Sequence, residues 1–269
     1  MNFKEKISIH YTSLTPTEKR ICTMIFDNPQ IIIKNSIVEA GDLCHTSKSA
    51  ILRFAKKLEY RGYSEFKYAV EEYYNKMNND QPIPNNQETV LHQISSSYAQ
   101  TIEALGLLDY EDKLKELASL IDSYTYVKAI GIGNSAFCAN QLVYSLYSHN
   151  KFFDAVVDDV QFDYLSNCLT QDYLLIIFSV TGSFNTFSKL LKTAKNAGSK
   201  IVIISMNNDS PLNHYADIKF ILPSSISNVQ NKIVLNQLDN RTTLYFFSEI
   251  ISYYYGIYLE HKLKDTSLK

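Results

Sequence analysis

The chain has 269 residues, 45% of them hydrophobic and 20% charged, with a net charge of −2. That composition excludes a wholly disordered chain, and the length suits one large domain or two modest ones. No apolar run approaches the ~18 residues of a membrane-spanning helix. Residues Met1–Lys6 lack the apolar core of a signal peptide, so a cytoplasmic protein without a membrane partner is expected. The four cysteines (Cys22, Cys44, Cys138, Cys168) and the six histidines are scattered. Without C-x-x-C or H-x-x-x-H spacing they suggest no disulfide frame, no metal site and no cofactor, and the cysteines read as small buried hydrophobes.

Charge is distributed unevenly. Residues 1–77 hold 12 Lys+Arg and 9 Asp+Glu, while the rest of the chain holds 14 and 19. A basic head on an acidic body points to two parts with different partners, the head possibly facing a polyanion.

The head, to about Met77, reads as all helical. Thr15-Pro16-Thr17-Glu18 is a capping box with proline at the first helical position. Ile21, Met24 and Ile25 follow at helical spacing, and Asn28-Pro29 ends the helix. A short helix near Ile31–Lys34, another over Ser36–Gly41, a break at Leu43–Thr46 and a helix from Ser47 to Leu58 come next. In that last helix Ile51, Phe54, Ala55 and Leu58 share one face, and Gly62 is expected to close it. A final helix covers about Ser64 to Asn75. Residues 78–87, polar with two prolines, read as a linker.

After the linker the pattern changes. Residues 88–122 read as helix broken near Gly106, with Asp109 capping the second piece. Apolar strands are then expected at Tyr126–Ile132, Phe152–Val157, Tyr173–Ser179, Lys200–Ser205 and Ile218–Leu222. Helices separate most of them, one ending at Gly198. Alternation of apolar strands with helices predicts a parallel, doubly wound α/β sheet flanked by helices. A closing aromatic helix runs from about Ile233 to Lys262.

Two helices around a tight break, the second with cations on its exposed side, suit a helix-turn-helix that reads double-stranded DNA. Thr46, Ser47, Lys48, Ser49 and Arg53 would face base edges, and Lys56 and Lys57 the phosphates. A helical bundle with a solvated charged face is the alternative. In the body, two strand ends carry small, hydroxyl-rich loops that open helices. Gly133-Asn134-Ser135 follows the first strand, and Ser179, Thr181, Gly182 and Ser183 end the third. Free backbone N–H groups, hydroxyls and helix N-termini together suit a phosphate. The first loop lacks the third glycine of a dinucleotide site, and neither has a P-loop lysine.

The head wording, Arg53-Phe54-Ala55-Lys56-Lys57-Leu58 followed by Arg61-Gly62-Tyr63-Ser64-Glu65-Phe66-Lys67, resembles the helix-turn-helix domain of RpiR-family bacterial regulators. Glu59 replaces that family's glycine after the leucine, and His45 replaces the glycine of its turn. Histidine tolerates a left-handed conformation. Gly41 stands where alanine is usual and should weaken its helix by about 0.5–1 kcal/mol. The two body loops, with Ser205, Ser210-Pro211-Leu212 and Ala216-Asp217, resemble the SIS (sugar isomerase) domain, with Phe184 in place of the last threonine of the phosphate loop.

The resemblance implies an N-terminal helix-turn-helix domain (1–77), a linker (78–87) and a C-terminal SIS domain (88–269). It implies a transcriptional regulator that binds a DNA operator, senses a phosphorylated sugar and forms a homodimer or higher homo-oligomer. The alternative is a phosphosugar isomerase with an appended helical module. Glu249, His261 and His214 are the acid–base residues open to such an enzyme, and none falls in a recognisable motif. Leu244, Phe247, Ile251, Tyr254 and Tyr258 form a stripe on the closing helix. That stripe is either a dimer element or packing within its own domain.

Overall fold

The computed structural model describes residues 2–79, 89–224 and 241–267. The chain divides into two compact units, one containing residues 2–79 and 89–98 with Ser224 and the other Ala99–Pro223 with Arg241–Ser267, so the division falls inside the helix that starts at Val90. The expected linker lies outside the described residues apart from its first two.

The first unit is all helical: α1 (Phe3–His10), α2 (Pro16–Asp27), α3 (Gln30–Ile33), α4 (Ile37–Leu43), α5 (Lys48–Lys57) and α6 (Tyr63–Asn79). Its starts are written in local polar chemistry. Asn2 with Glu5, Thr15 with Glu18 and Ser36 with Glu39 each form a reciprocal capping box, and the Ser47 hydroxyl caps α5. Helix α1 was not anticipated, although Asn2-x-x-Glu5 is a capping signal. Ile51, Phe54, Ala55 and Leu58 are fully buried as expected, in a core with Phe3, Ile21, Ile25 and Phe66.

Two replacements of family glycines fall at left-handed positions. His45, in the turn between α4 and α5, has φ 50°, and Glu59, after α5, has φ 63°. Glu59, rather than Gly62, is therefore the left-handed residue beyond α5. Gly62 stands before α6, where its carbonyl accepts from Phe66 N. Gly41 also has a use that offsets its low helix propensity. A Cβ there would come within 3.1 Å of Lys48 N and Thr46 O, so its bareness lets the α5 start pack onto α4.

Helix α7 (Val90–Gly106) ends at the expected glycine. Then follow α8 (Glu111–Ser123), β1 (Tyr126–Ile130), α9 (Ala136–Tyr147), β2 (Asp154–Val156), α10 (Asp159–Cys168), β3 (Tyr173–Ser179), α11 (Phe184–Ala197), β4 (Lys200–Ser205), β5 (Ile218–Ile221) and α12 (Arg241–Ser267). Tyr110, not Asp109, occupies the N-cap of α8, with no side-chain cap bond. The strands form one parallel sheet in the order β2-β1-β3-β4-β5. Strands β3 and β4 are almost wholly buried, which explains their unbroken apolar runs.

The expected start of the closing helix, Ile233, lies outside the described residues. Helix α12 buries Leu244, Phe247, Ile251 and Tyr255 and packs on α8 and α9 of its own unit. Tyr254 bonds Glu111, and Tyr258 reaches Asp122 at 3.3 Å. The aromatic stripe is thus packing within the unit, the second of the two readings. One cysteine also departs from expectation: Cys168 is exposed at the end of α10, whereas Cys22, Cys44 and Cys138 are buried.

Candidate functional site

Helix α5 owes its placement to its apolar face, which leaves the opposite side open. Ser47, Lys48, Ser49, Arg53 and Lys56 are exposed and Thr46 is half-buried. The turn before it is fixed by Thr46 N donating to Gly41 O at 2.9 Å and His45 N to Asp42 O at 3.0 Å. Arg20, from α2, donates to the His45 carbonyl at 3.2 Å, so a further cation, from another helix, stands beside this turn. Sequence reading missed Arg20, whose proximity arises only when α2 packs on α5.

Lys57 stands apart from the other cations. Its ammonium donates to Ser13 O at 2.6 Å and pairs with Glu18 at 2.8 Å. Burial pushes the Glu18 carboxyl up, but hydrogen bonds from Lys57 and Thr15 outweigh it and hold the group below its ordinary value. This pair ties α5 to the start of α2.

In the second unit the strand order reverses between β1 and β3: the chain goes from β1 outward to β2, then returns to β3 on the other side. Ligands of open α/β sheets lie at the carboxyl ends of strands at such a switch point. Both hydroxyl-rich loops stand there, because β1 pairs directly with β3, Ile130 beside Ile177.

The first loop is tightly folded. A Cβ on Gly131 would strike the Ser135 backbone, with the Ser135 carbonyl carbon at 2.6 Å, so only glycine admits this turn. Gly133 and Asn134 are exposed, and Gly133 has φ 58°. Ser135 is 7% exposed and stands at the N-cap of α9, yet its hydroxyl makes no cap bond.

The second loop is braced from behind. The Ser179 hydroxyl accepts from Gly182 N at 3.1 Å. Gly182 has φ 60°, and a Cβ there would meet Ser210 Oγ at 2.6 Å. Ser210 donates to Gly182 O, and Asn207 Nδ2 donates to Thr181 O at 3.0 Å. Residues after β4 thereby shape the loop after β3. Thr181 and Ser183 are half-buried, and the Ser183 hydroxyl accepts from Thr186 at 3.2 Å. The Phe184 ring packs with Tyr215 at 5.9 Å, on the β4 side of the loop.

Among the described residues, α1, α2, α4, α5, α7 and α10 carry a side-chain N-cap bond, that of α7 donated by His92 N to Thr89 Oγ1. Helices α3, α8, α9 and α11 carry none, and of these α9 and α11 begin with the serines Ser135 and Ser183. A short helical turn over Gly133–Ser135 leads into α9 and already takes up the Ser135 and Ala136 N–H groups, while the start of α11 has no capping side chain and is the more open to an anion. Helix α12 runs beside α9 and begins near the same turn, with Cys138 Sγ 3.8 Å from Arg241 O.

The residues open to acid–base chemistry are dispersed. Glu249 accepts from Gln141 at 3.1 Å, and His214 closes the short helical turn Pro211–His214. His261 is exposed on α12, ~30 Å along the helix axis from Arg241 at 1.5 Å per residue.

Residues 1–77 match the family model for the helix-turn-helix domain of the rpiR family, and residues 126–237 match the SIS domain. An uncharacterized HTH-type transcriptional regulator of Clostridium perfringens is 23% identical over 278 residues, covering 99% of this chain and 98% of the relative. The HTH-type transcriptional regulator GlvR of Bacillus subtilis is 25% identical, with 68% of each chain covered. Among solved structures, the Vibrio vulnificus NanR protein complexed with ManNAc-6P matches 98% of this chain and 97% of its own, at 14% identity and a TM-score of 0.55. With both domain models matched in order along one chain, this protein belongs to the RpiR family of helix-turn-helix regulators bearing a SIS domain.

Proposed function

We propose that the chain is a DNA-binding transcriptional regulator of the cytoplasm whose SIS unit senses a phosphorylated sugar and alters operator binding. The observation that carries this reading is the pair of hydroxyl-rich turns that open α9 and α11 with serines at the sheet's switch point. In the same chain an exposed basic helix follows a tight turn.

In this reading Thr46, Ser47, Lys48, Ser49 and Arg53 meet base edges, Lys56 meets phosphate, and Arg20 beside the turn adds a further phosphate contact. Lys57 contributes through its bond to Glu18. Gly133, Asn134, Ser135, Thr181 and Ser183 surround the effector's phosphate, while Ser179 and Gly182 hold the loop's shape. The boundary between the DNA-binding and effector-binding parts falls at 78–87, and the working species is a homodimer, because a helix-turn-helix site usually mirrors a protein two-fold. Effector binding acts on the operator only through a different affinity for two arrangements of the chain.

The test is a mobility shift on the DNA upstream of the chain's own reading frame, with and without a panel of hexose, pentose and amino-sugar phosphates. Calorimetry runs against the same panel. Binding of DNA, and a shift of its affinity by one sugar phosphate, is expected. Turnover of a sugar phosphate without DNA binding would refute the reading.

A further inference from the structure

The two edges of the sheet are finished differently. On β5 the outward main-chain groups are taken up by side chains. The Tyr110 hydroxyl accepts from Ile221 N at 2.9 Å and donates to Ile221 O at 3.0 Å, and Lys113 donates to Lys219 O at 3.4 Å. On β2, Gly131 N donates to Val156 O at 3.1 Å, so Val156 turns its main chain toward β1 and Ala155 turns its N–H and C=O outward. Gln161 Oε1 accepts from Val157 N at 2.6 Å, but among the described residues no side chain bonds the outward groups of Ala155. Such an open edge is a template on which another strand can pair.

A groove of about 680 Å³, room for several side chains, follows this edge. The chain passes from β1 outward to β2 and then back past β1 to β3, so right-handed crossovers put α9 and α10 on opposite faces of the sheet. The groove is lined from both faces, by Val143 and Tyr147 of α9 and by Tyr164 and Leu165 of α10. A strand laid along β2 alternates its side chains between the two faces, and on each it meets a tyrosine and an aliphatic residue.

The charges beside the edge select the partner. Asp154 pairs with the half-buried Lys128 at 2.5 Å, and Lys151, before β2, donates to Asp122 O at 3.5 Å. Asp158 and Asp159, just beyond β2, are exposed. A second copy would bring the same acidic edge against this one, whereas a chain carrying cations complements it. We propose that the β2 edge docks an extended segment of another protein, apolar at alternate positions and with a Lys or Arg level with Asp158 and Asp159. This goes beyond the regulator reading and does not depend on it.

The experiment titrates the full chain into dye-labelled peptides of about ten residues, in which valine and threonine alternate, and reads fluorescence anisotropy. The peptides end in Lys, Glu or Ser. The Lys-ended peptide should bind with a Kd below about 1 mM and about 10-fold more tightly than the Glu-ended one. Ala155→Pro removes an outward N–H and none of the bonds to β1, so circular dichroism should be unchanged while affinity falls about 10-fold or more. Tyr164→Ala, at a side chain 72% exposed, should weaken binding about 10-fold. Tyr245→Ala, on the exposed side of α12, should leave it unchanged. Methylating alternate peptide nitrogens tests the pairing without altering the protein: one set should abolish binding and the other spare it. No binding by any peptide at about 1 mM, equal binding of the Lys- and Glu-ended peptides, or tolerance of both methylated sets overturns the proposal. So does a folded Ala155→Pro chain that binds like the wild type. Self-association of the wild type that Ala155→Pro abolishes would assign the edge to a second copy and also overturns it.

Discussion

Ser135→Ala should move stability and ligand affinity differently. Ser135 is 7% exposed and its hydroxyl makes no cap bond, so its removal breaks no helix cap. Stability should therefore change by no more than about 0.5 kcal/mol. A hydroxyl bonded to a phosphate oxygen is worth about 1.5–3 kcal/mol. At ~1.4 kcal/mol per tenfold, sugar-phosphate affinity should fall roughly 10- to 150-fold. Ser179→Ala makes the contrast. Its hydroxyl holds Gly182 N at 3.1 Å in a buried loop, and losing it should cost about 1–3 kcal/mol of stability. Calorimetry against the sugar-phosphate panel and thermal unfolding of both variants read the two quantities. If Ser135→Ala lowers the melting temperature like Ser179→Ala and leaves affinity unchanged, the Ser135 hydroxyl is structural and the cleft lies elsewhere.

Other expectations concern the head. Arg53→Ala should cost about 1–3 kcal/mol of operator binding, and Lys56→Ala should lower the salt slope by about 1, both read by titration at several salt concentrations. Lys57→Ala should lower stability through its lost bonds to Ser13 and Glu18 and leave the slope nearly unchanged; a unit change in slope would place Lys57 on the DNA instead. Because Glu18 is held below its ordinary value of 4.5, its contribution is full above that pH and is lost as pH falls through the lower folded value. Urea unfolding should show that acid-side loss in the wild type and less of it in Glu18→Gln. His45→Gly, at φ 50°, should stabilise the head by about 0.5–1 kcal/mol, and a destabilisation by thermal melt would show that the imidazole makes a contact that matters.

The sequence by itself determined the features that depend on neighbours in the chain. Capping serines, threonines and glutamates, the stop at Gly198 and the apolar strand runs are local signals, and the helices and strands stand close to where those signals put them. The two hydroxyl-rich loops were legible as short polar breaks after apolar strands. Left-handed tolerance at His45 was legible too, from a residue type in a turn.

Tertiary structure decided what periodicity cannot carry. An apolar stripe says that a helix is covered, not by what, so the aromatic face of α12 could be assigned to its own unit only once α8 and α9 were seen against it. Strand order sets which loops are neighbours, and the β1–β3 pairing at the switch point juxtaposes Ser135 with the loop of Ser179–Ser183. Gly131 and Gly41 are required by backbone approaching from outside their own elements, so no local rule reveals them. Lys57 belongs to Glu18 rather than to solvent because 39 residues separate the partners in sequence and 2.8 Å in space.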